Sequence, residues 1–254
     1  MPKSLIIYVL TAAFRDRLFW SFLVLLGVGI SLSFFLGSSA LIEAEQFSVV
    51  FASGGLRIAS VMALVLFVVF FIRRSFDSRD VEYILTRPIS RLQFLLSHAL
   101  AFQLMALVVA LVVSACVIIL APGKEVTPGY FLWGFSLFAE LFIMVNVALF
   151  FSMVLSSAVG SALISMGFYV LARLIGQILG IIERGEESGI HFIMEQLMYY
   201  ISVLIPRLDL MGQTAWLLYP LDNIIGYGFI VAQTVIFSAI ILCAALIDLT
   251  KKQF

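Results

Sequence analysis

The sequence predicts an all-α integral membrane protein: a single domain (1–254) of six transmembrane helices. It adds an N-terminal interfacial elbow helix, a short cytoplasmic helix between spans two and three, and a helical extracytoplasmic segment between spans five and six. Three observations carry this. The 254 residues are 63% hydrophobic, with a mean hydropathy of +1.16, which is more apolar surface than a water-soluble chain of that length can bury. The apolar residues come in continuous runs close to the roughly 20 residues with which an α-helix crosses about 30 Å of hydrocarbon, and they lack the alternation of lipid-facing strands. The basic residues gather on one side of those runs, as in cytoplasmic loops.

Residues 1–17 begin with Lys3 and end with Arg15, Asp16 and Arg17. Between them Leu5, Ile6, Val9, Leu10, Ala13 and Phe14 recur at helical spacing, which predicts an elbow helix lying in the membrane interface. A signal peptide is rejected because charges and a full span follow at once. The spans are then 18–36, 49–72, 92–120, 130–155, 158–182 and 227–247. The second is the least regular: its firm apolar run is Ile58 to Ile72, and Ser53, Gly54, Gly55 and Arg57 interrupt what precedes it. Spans four and five are joined by SSAVGS, a turn so tight that the two form an antiparallel hairpin.

With the N-terminus in the cytoplasm, the inside carries Lys3, Arg15, Arg17, Arg73, Arg74, Arg79, Arg87, Arg91, Lys251 and Lys252. The outside or outer leaflet carries Arg57, Lys124, Arg173, Arg184 and Arg207, so the 15 basic residues divide 10 to 5. Both termini are therefore expected in the cytoplasm. Residues 78–91 then form a cytoplasmic island between two apolar runs. As a short helix from about Ser78 to Thr86 the island places Val81, Ile84 and Leu85 together and turns Arg79, Asp80 and Glu82 toward water. Pro88 stops or offsets that helix, and Ser90 is positioned to cap the third span. The island reads either as a surface for another protein or as a solvated loop that fixes topology.

On the far side, residues 183–226 are too polar to cross. IHFIMEQLMYYISVLIP within them is apolar at helical spacing and suits a helix in the outer interface, with Pro206 and Pro220 punctuating the return to span six.

Two ionisable residues fall deep in the expected bilayer, where a charge marks a functional candidate. Glu140 lies 17 residues before Ser157 and Arg173 lies 16 after it, which puts them at nearly one depth across the hairpin and predicts a Glu140–Arg173 ion pair. Its plainer role is pinning the hairpin, and its alternative a place in a substrate path. Gly176-x-x-x-Gly180 is a weak packing motif. His98 and His191 are expected on opposite sides, which excludes joint ligation of a haem iron. Cys116 and Cys243 lie in apolar runs and suggest neither disulfide nor metal. No catalytic, cofactor-binding or metal motif is found: there is no G-x-S-x-G and no H-E-x-x-H.

The order Glu82, Leu85, Pro88, Arg91 in EYILTRPISR resembles the E-x-x-L-[ST]-x-P-x-x-R that follows the second span in permeases of the type-2 ABC transporter family, where it sits in a coupling helix. AAFRDRLFW resembles that family's elbow before span one. LIPRLDLMGQ resembles the segment before span six in the branch of copper-enzyme maturation permeases. A Gly-Thr pair frequent before the glutamate is Asp80-Val81 here.

The resemblance implies a bacterial inner-membrane permease, an exporter, in which Asp80, Glu82, Leu85, Arg87, Pro88 and Arg91 couple to a cytoplasmic ATPase subunit and Arg15 and Arg17 belong to the elbow. It implies a second permease copy or homologue as partner, no nucleic acid, and ATP with magnesium held by the ATPase. This chain has no G-x-x-x-x-G-K-[ST] to bind nucleotide itself. The alternative is an ion-gradient-driven secondary transporter, for which the interrupted second span speaks.

Overall fold

The computed structural model describes residues 3–15, 20–21, 24, 27–29, 31–32, 35, 44–78, 90–119, 126–183, 205–219, 221 and 225–251. Among these the chain is helical, with no strand. The elements are α1 (Lys3–Arg15), α2 (Ala44–Asp77), α3 (Arg91–Ile119), α4 (Pro128–Val154), α5 (Ala158–Glu183), the single-turn α6 (Leu208–Met211), a 3-10 turn (Thr214–Leu217) and α7 (Tyr227–Lys251). Five of them, α2, α3, α4, α5 and α7, are long and apolar enough to cross a membrane. The expected span 18–36 lies for the most part outside the described residues; those described within it, such as Trp20 and Phe35, are helical.

Helix α2 corrects the reading of the second span. The expected interruption at Ser53, Gly54, Gly55 and Arg57 does not occur, and one 34-residue helix runs through it. A glycine in a helix interior costs only about 1 kcal/mol relative to alanine. Burial of Val49, Ala52 and Leu56 on the same stretch offsets that.

Local signals set the other boundaries. Ser90 and Gln93 form a reciprocal capping box at the start of α3: the Gln93 backbone N–H donates to Ser90 Oγ and the Ser90 N–H to Gln93 Oε1, both at 3.2 Å. Helix α4 begins with Pro128 after an extended Thr127, a position where proline sacrifices no helical hydrogen bond. Ser157 Oγ accepts the Gly160 N–H at 3.2 Å at the start of α5.

Helix α4 is the hub. It packs against α2, α3, α5, α7, α6 and the 3-10 turn, and Leu137, Leu141, Ile143, Val145, Ala148 and Leu149 on it are all fully buried. Close approach of α3 is possible because Gly134 faces Ser114, where a Cβ would meet the Ser114 hydroxyl at 2.7 Å. Gln103 of α3 and Asn146 of α4 add a buried amide hydrogen bond at 3.2 Å. Helix α1 packs on α3 through the buried Val9 with Ile6 and Leu10 beside it, while Ile7 and Tyr8 face outward.

Candidate functional site

The charged residues inside the bundle converge on one place. Arg57 enters from α2, Glu140 from α4 and Arg173 from α5. Trp133, Ser136 and Glu140 are three and four residues apart, so they share one face of α4, and Arg57 lies along it. Arg57 Nη1 donates to Glu140 Oε2 at 2.6 Å and to the Met211 carbonyl at 3.3 Å. Its Nη2 donates to the Trp133 carbonyl at 3.0 Å and to Ser136 Oγ at 2.9 Å, and its guanidinium carbon lies 4.6 Å from the Trp133 ring centroid. Both side chains of the Arg57–Glu140 pair are 0% exposed. An arginine so enclosed depends on having its donors answered, and here Nη1 and Nη2 answer four acceptors, while the buried Nε–H closes no hydrogen bond among the described residues.

Arg57 was expected at an outer leaflet edge and is instead the principal partner of Glu140. The expected partner, Arg173, approaches the other carboxylate oxygen with Nε at 3.9 Å from Oε1, a distance that contributes charge but no hydrogen bond. Tyr169, one turn before Arg173 on α5, has its ring beside the three charges, and its buried hydroxyl closes no hydrogen bond of good geometry. The sequence did carry a signal for Arg57. The run Ile58 to Ile72 has 15 residues, too few to cross, so a spanning helix had to extend toward the N-terminus and take Arg57 inside.

The segment before α7 completes the cluster from above. Residues 205–219, expected in the extracytoplasmic segment, fold into the bundle through α6 and the 3-10 turn, which contact α2, α4 and α5. Irregular backbone at such depth is tolerated only where protein satisfies its polar groups. Arg57 takes the Met211 carbonyl, Arg173 Nη1 takes the Leu208 carbonyl at 3.2 Å, and Gln233 Oε1 of α7 accepts the Arg207 N–H at 2.9 Å.

Two glycines make this docking possible: a Cβ at Gly212 would collide with the Arg173 guanidinium, and one at Gly176 with the Asp209 carboxylate. Gly176 thus admits a loop side chain, while Gly180, its partner in the small-residue motif, has no neighbour within 4 Å of a Cβ among the described residues.

A second set of arginines works at the opposite end of the bundle. Arg73 of α2 donates from Nη1 to the Leu155 carbonyl at the end of α4, at 3.0 Å. Arg91, the first residue of α3, donates from Nη1 to the Leu249 and Thr250 carbonyls of α7, each at 2.7 Å. Each places a cation where the terminal carbonyls of another helix concentrate negative potential.

No family model matches the chain, and no curated protein is significantly similar to it. The cluster and the arginine ties are therefore read from their own geometry. Of the expected coupling residues, Asp80, Glu82, Leu85, Arg87 and Pro88 lie outside the described residues, as does Arg17 of the elbow; Arg15 ends α1. Among the described residues no group of three His, Cys, Asp or Glu side chains could hold a metal ion. His98 is enclosed in α3 between Phe94 and Phe102, its Nδ1 2.9 Å from the Phe94 carbonyl, a packed core position.

Proposed function

We propose that this chain is the membrane permease subunit of an ATP-driven exporter of the type-2 ABC class. It would reside in the bacterial cytoplasmic membrane with both termini inside and work with a separate ATPase and a second permease. The observation that carries the reading is EYILTRPISR at Glu82–Arg91, set between the long apolar helices α2 and α3 of a chain that lacks a nucleotide-binding loop.

The arginine ties support it mechanically. A push on residues 78–91 reaches α3 through the Ser90 cap and α7 through Arg91, while Arg73 joins the end of α2 to the α4–α5 turn. Nucleotide-driven closure of two ATPases would therefore move whole helices together and not bend one loop. At the far end the docked segment 205–219 moves with α2, α4 and α5 and serves as the outer gate. The cargo is an apolar or lipid-linked molecule, or force alone.

The test is purification of the tagged chain from its native host in mild detergent, with mass spectrometry of what accompanies it, before and after Glu82→Ala. An ABC ATPase that accompanies the chain and is lost with the variant is the expected result. Absence of any ATPase across several mild detergents sinks the reading. Arg91 is left intact in this test, because its loss would loosen α7 whatever the partner.

The buried Arg57, Glu140 and Arg173 beside a re-entrant segment favour one second reading, transport driven by an ion gradient. Transport in vesicles that survives ATP depletion and stops with an ionophore would select it.

A further inference from the structure

Three polar groups at the seam of α4 and α5 stop short of one another. Glu140 gives Oε2 to Arg57, while its other oxygen, Oε1, is buried and accepts no hydrogen bond among the described residues. Arg173 brings Nε to 3.9 Å from that oxygen, beyond the reach of a direct bond. Among the described residues its single hydrogen bond runs from Nη1 to the Leu208 carbonyl. Tyr169, one turn earlier on α5, lies beside the same carboxylate, and its hydroxyl is a buried donor that closes no hydrogen bond of good geometry. The Glu140 residue is 0% exposed and Tyr169 5%.

The surroundings cannot answer these groups. Arg173 lies nine residues before Ile182 on α5, about 13.5 Å along the axis at 1.5 Å per residue, so the site is well inside the apolar span. Hydrocarbon offers no partner to a donor or acceptor, which makes an unanswered one costly there. A gap of 3.9 Å is also one that a single bridging molecule closes: at about 2.8 Å from each end, it sees its two partners about 90° apart.

The charges decide what kind of molecule this is. An anion would lie beside the Glu140 carboxylate, and a cation beside the Arg57 and Arg173 guanidinium groups. A small neutral molecule that both donates and accepts meets neither objection. We infer that one resident water molecule is bound between Glu140 Oε1, the Tyr169 hydroxyl and Arg173 Nε. It accepts from the Arg173 Nε–H and the Tyr169 O–H and donates to Glu140 Oε1, the usual three bonds of a buried water. The buried pair of α2 and α4 is thus joined to α5 through water. Neither transport reading is assumed, so the site stands or falls separately from them.

The test is X-ray radiolysis of the full chain in lipid nanodiscs, with oxidised residues located by mass spectrometry. Short pulses make hydroxyl radicals from water, and radicals made inside a protein oxidise the side chains next to them. Tyr169 should be oxidised faster than Met105 of α3, which is as enclosed, at 3% exposed, and carries the more readily oxidised side chain. A Tyr169 rate no greater than that of Met105 overturns the inference.

R173L separates a resident water from water that leaks in. It removes Nε and also the tie to the Leu208 carbonyl, which loosens residues 205–219. The excess at Tyr169 should be lost in R173L, because the water has lost an anchor. An excess that stays or grows overturns the inference, because water entering past the loosened segment then supplies the radicals. If R173L does not fold, R173K, which keeps the charge and has no donor at the Nε position, is read by the same rule.

Discussion

At the scale of the residue, Arg57 and Glu140 form the fully buried ion pair among the described residues. Removing one member of a buried ion pair leaves the other charged and unanswered, at a cost of about 3–5 kcal/mol. Glu140→Ala or Arg57→Met should therefore depress the thermal unfolding midpoint in detergent sharply. The double replacement by methionine should recover part of the loss, because neither member of the pair is left bare, although Arg173 then loses the carboxylate 3.9 Å from its Nε. A double variant no better than either single would show that the pair is not coupled.

The glycines give a second expectation. Gly212→Ala and Gly176→Ala should each destabilise by about 1–3 kcal/mol, since a methyl group there has to displace the Arg173 or Asp209 side chain. Gly180→Ala, which meets nothing among the described residues, should leave the midpoint at or above the wild-type value.

The sequence made Glu140 and Arg173 visible because a charge inside an apolar run is conspicuous. It concealed Arg57 because Ser53, Gly54 and Gly55 beside it looked like the polar edge of a span. Pairing across helices is decided by rotation about each axis, and spacing from the SSAVGS turn told only that Glu140 and Arg173 lie at nearly one depth.

At the scale of the element, helix ends here are completed by other helices. Arg91→Gln should leave the Leu249 and Thr250 carbonyls without their donor. Amide hydrogen exchange in the last turn of α7 should then rise while α4 stays protected; unchanged exchange in α7 would remove the tie from the account. Ser90→Ala should cost about 1 kcal/mol through loss of the capping box.

The element starts were legible where a local device sets them, as with Ser90 before α3 and SSAVGS before α5; Pro128, which opens α4 two residues before the expected start at Tyr130, was not read. The depth reached by residues 205–219 was not. LIPRLDLMGQ contains two charges and a proline and reads as a surface connector. Its Arg207 and Asp209 neutralise each other, and its carbonyls are claimed by arginines from spans far away in sequence.

At the scale of the whole molecule, composition alone sufficed for the class, because no water-exposed fold can hide so much apolar surface. The hub position of α4 was not readable. Its sequence is hardly more apolar than that of α3 or α7, and only the packing of four long helices around it distinguishes it. If the exporter reading holds, α4 is the axis about which the bundle rocks, and ATP added to the complex should change hydrogen exchange in residues 205–219 as well as near Ser90. A change confined to the Ser90 end would contradict movement of whole helices.

The tie from Arg91 to α7 also bears on biogenesis. Arg91 leaves the ribosome more than 150 residues before Leu249 and Thr250. Until then α3 can insert, but the tie from its first residue to α7 cannot form, so that end of the bundle is not yet closed through most of translation. A protease or insertion chaperone that surveys unfinished chains has a defined window in which to act. Closure of that window reports that the final span of the described bundle has arrived in register.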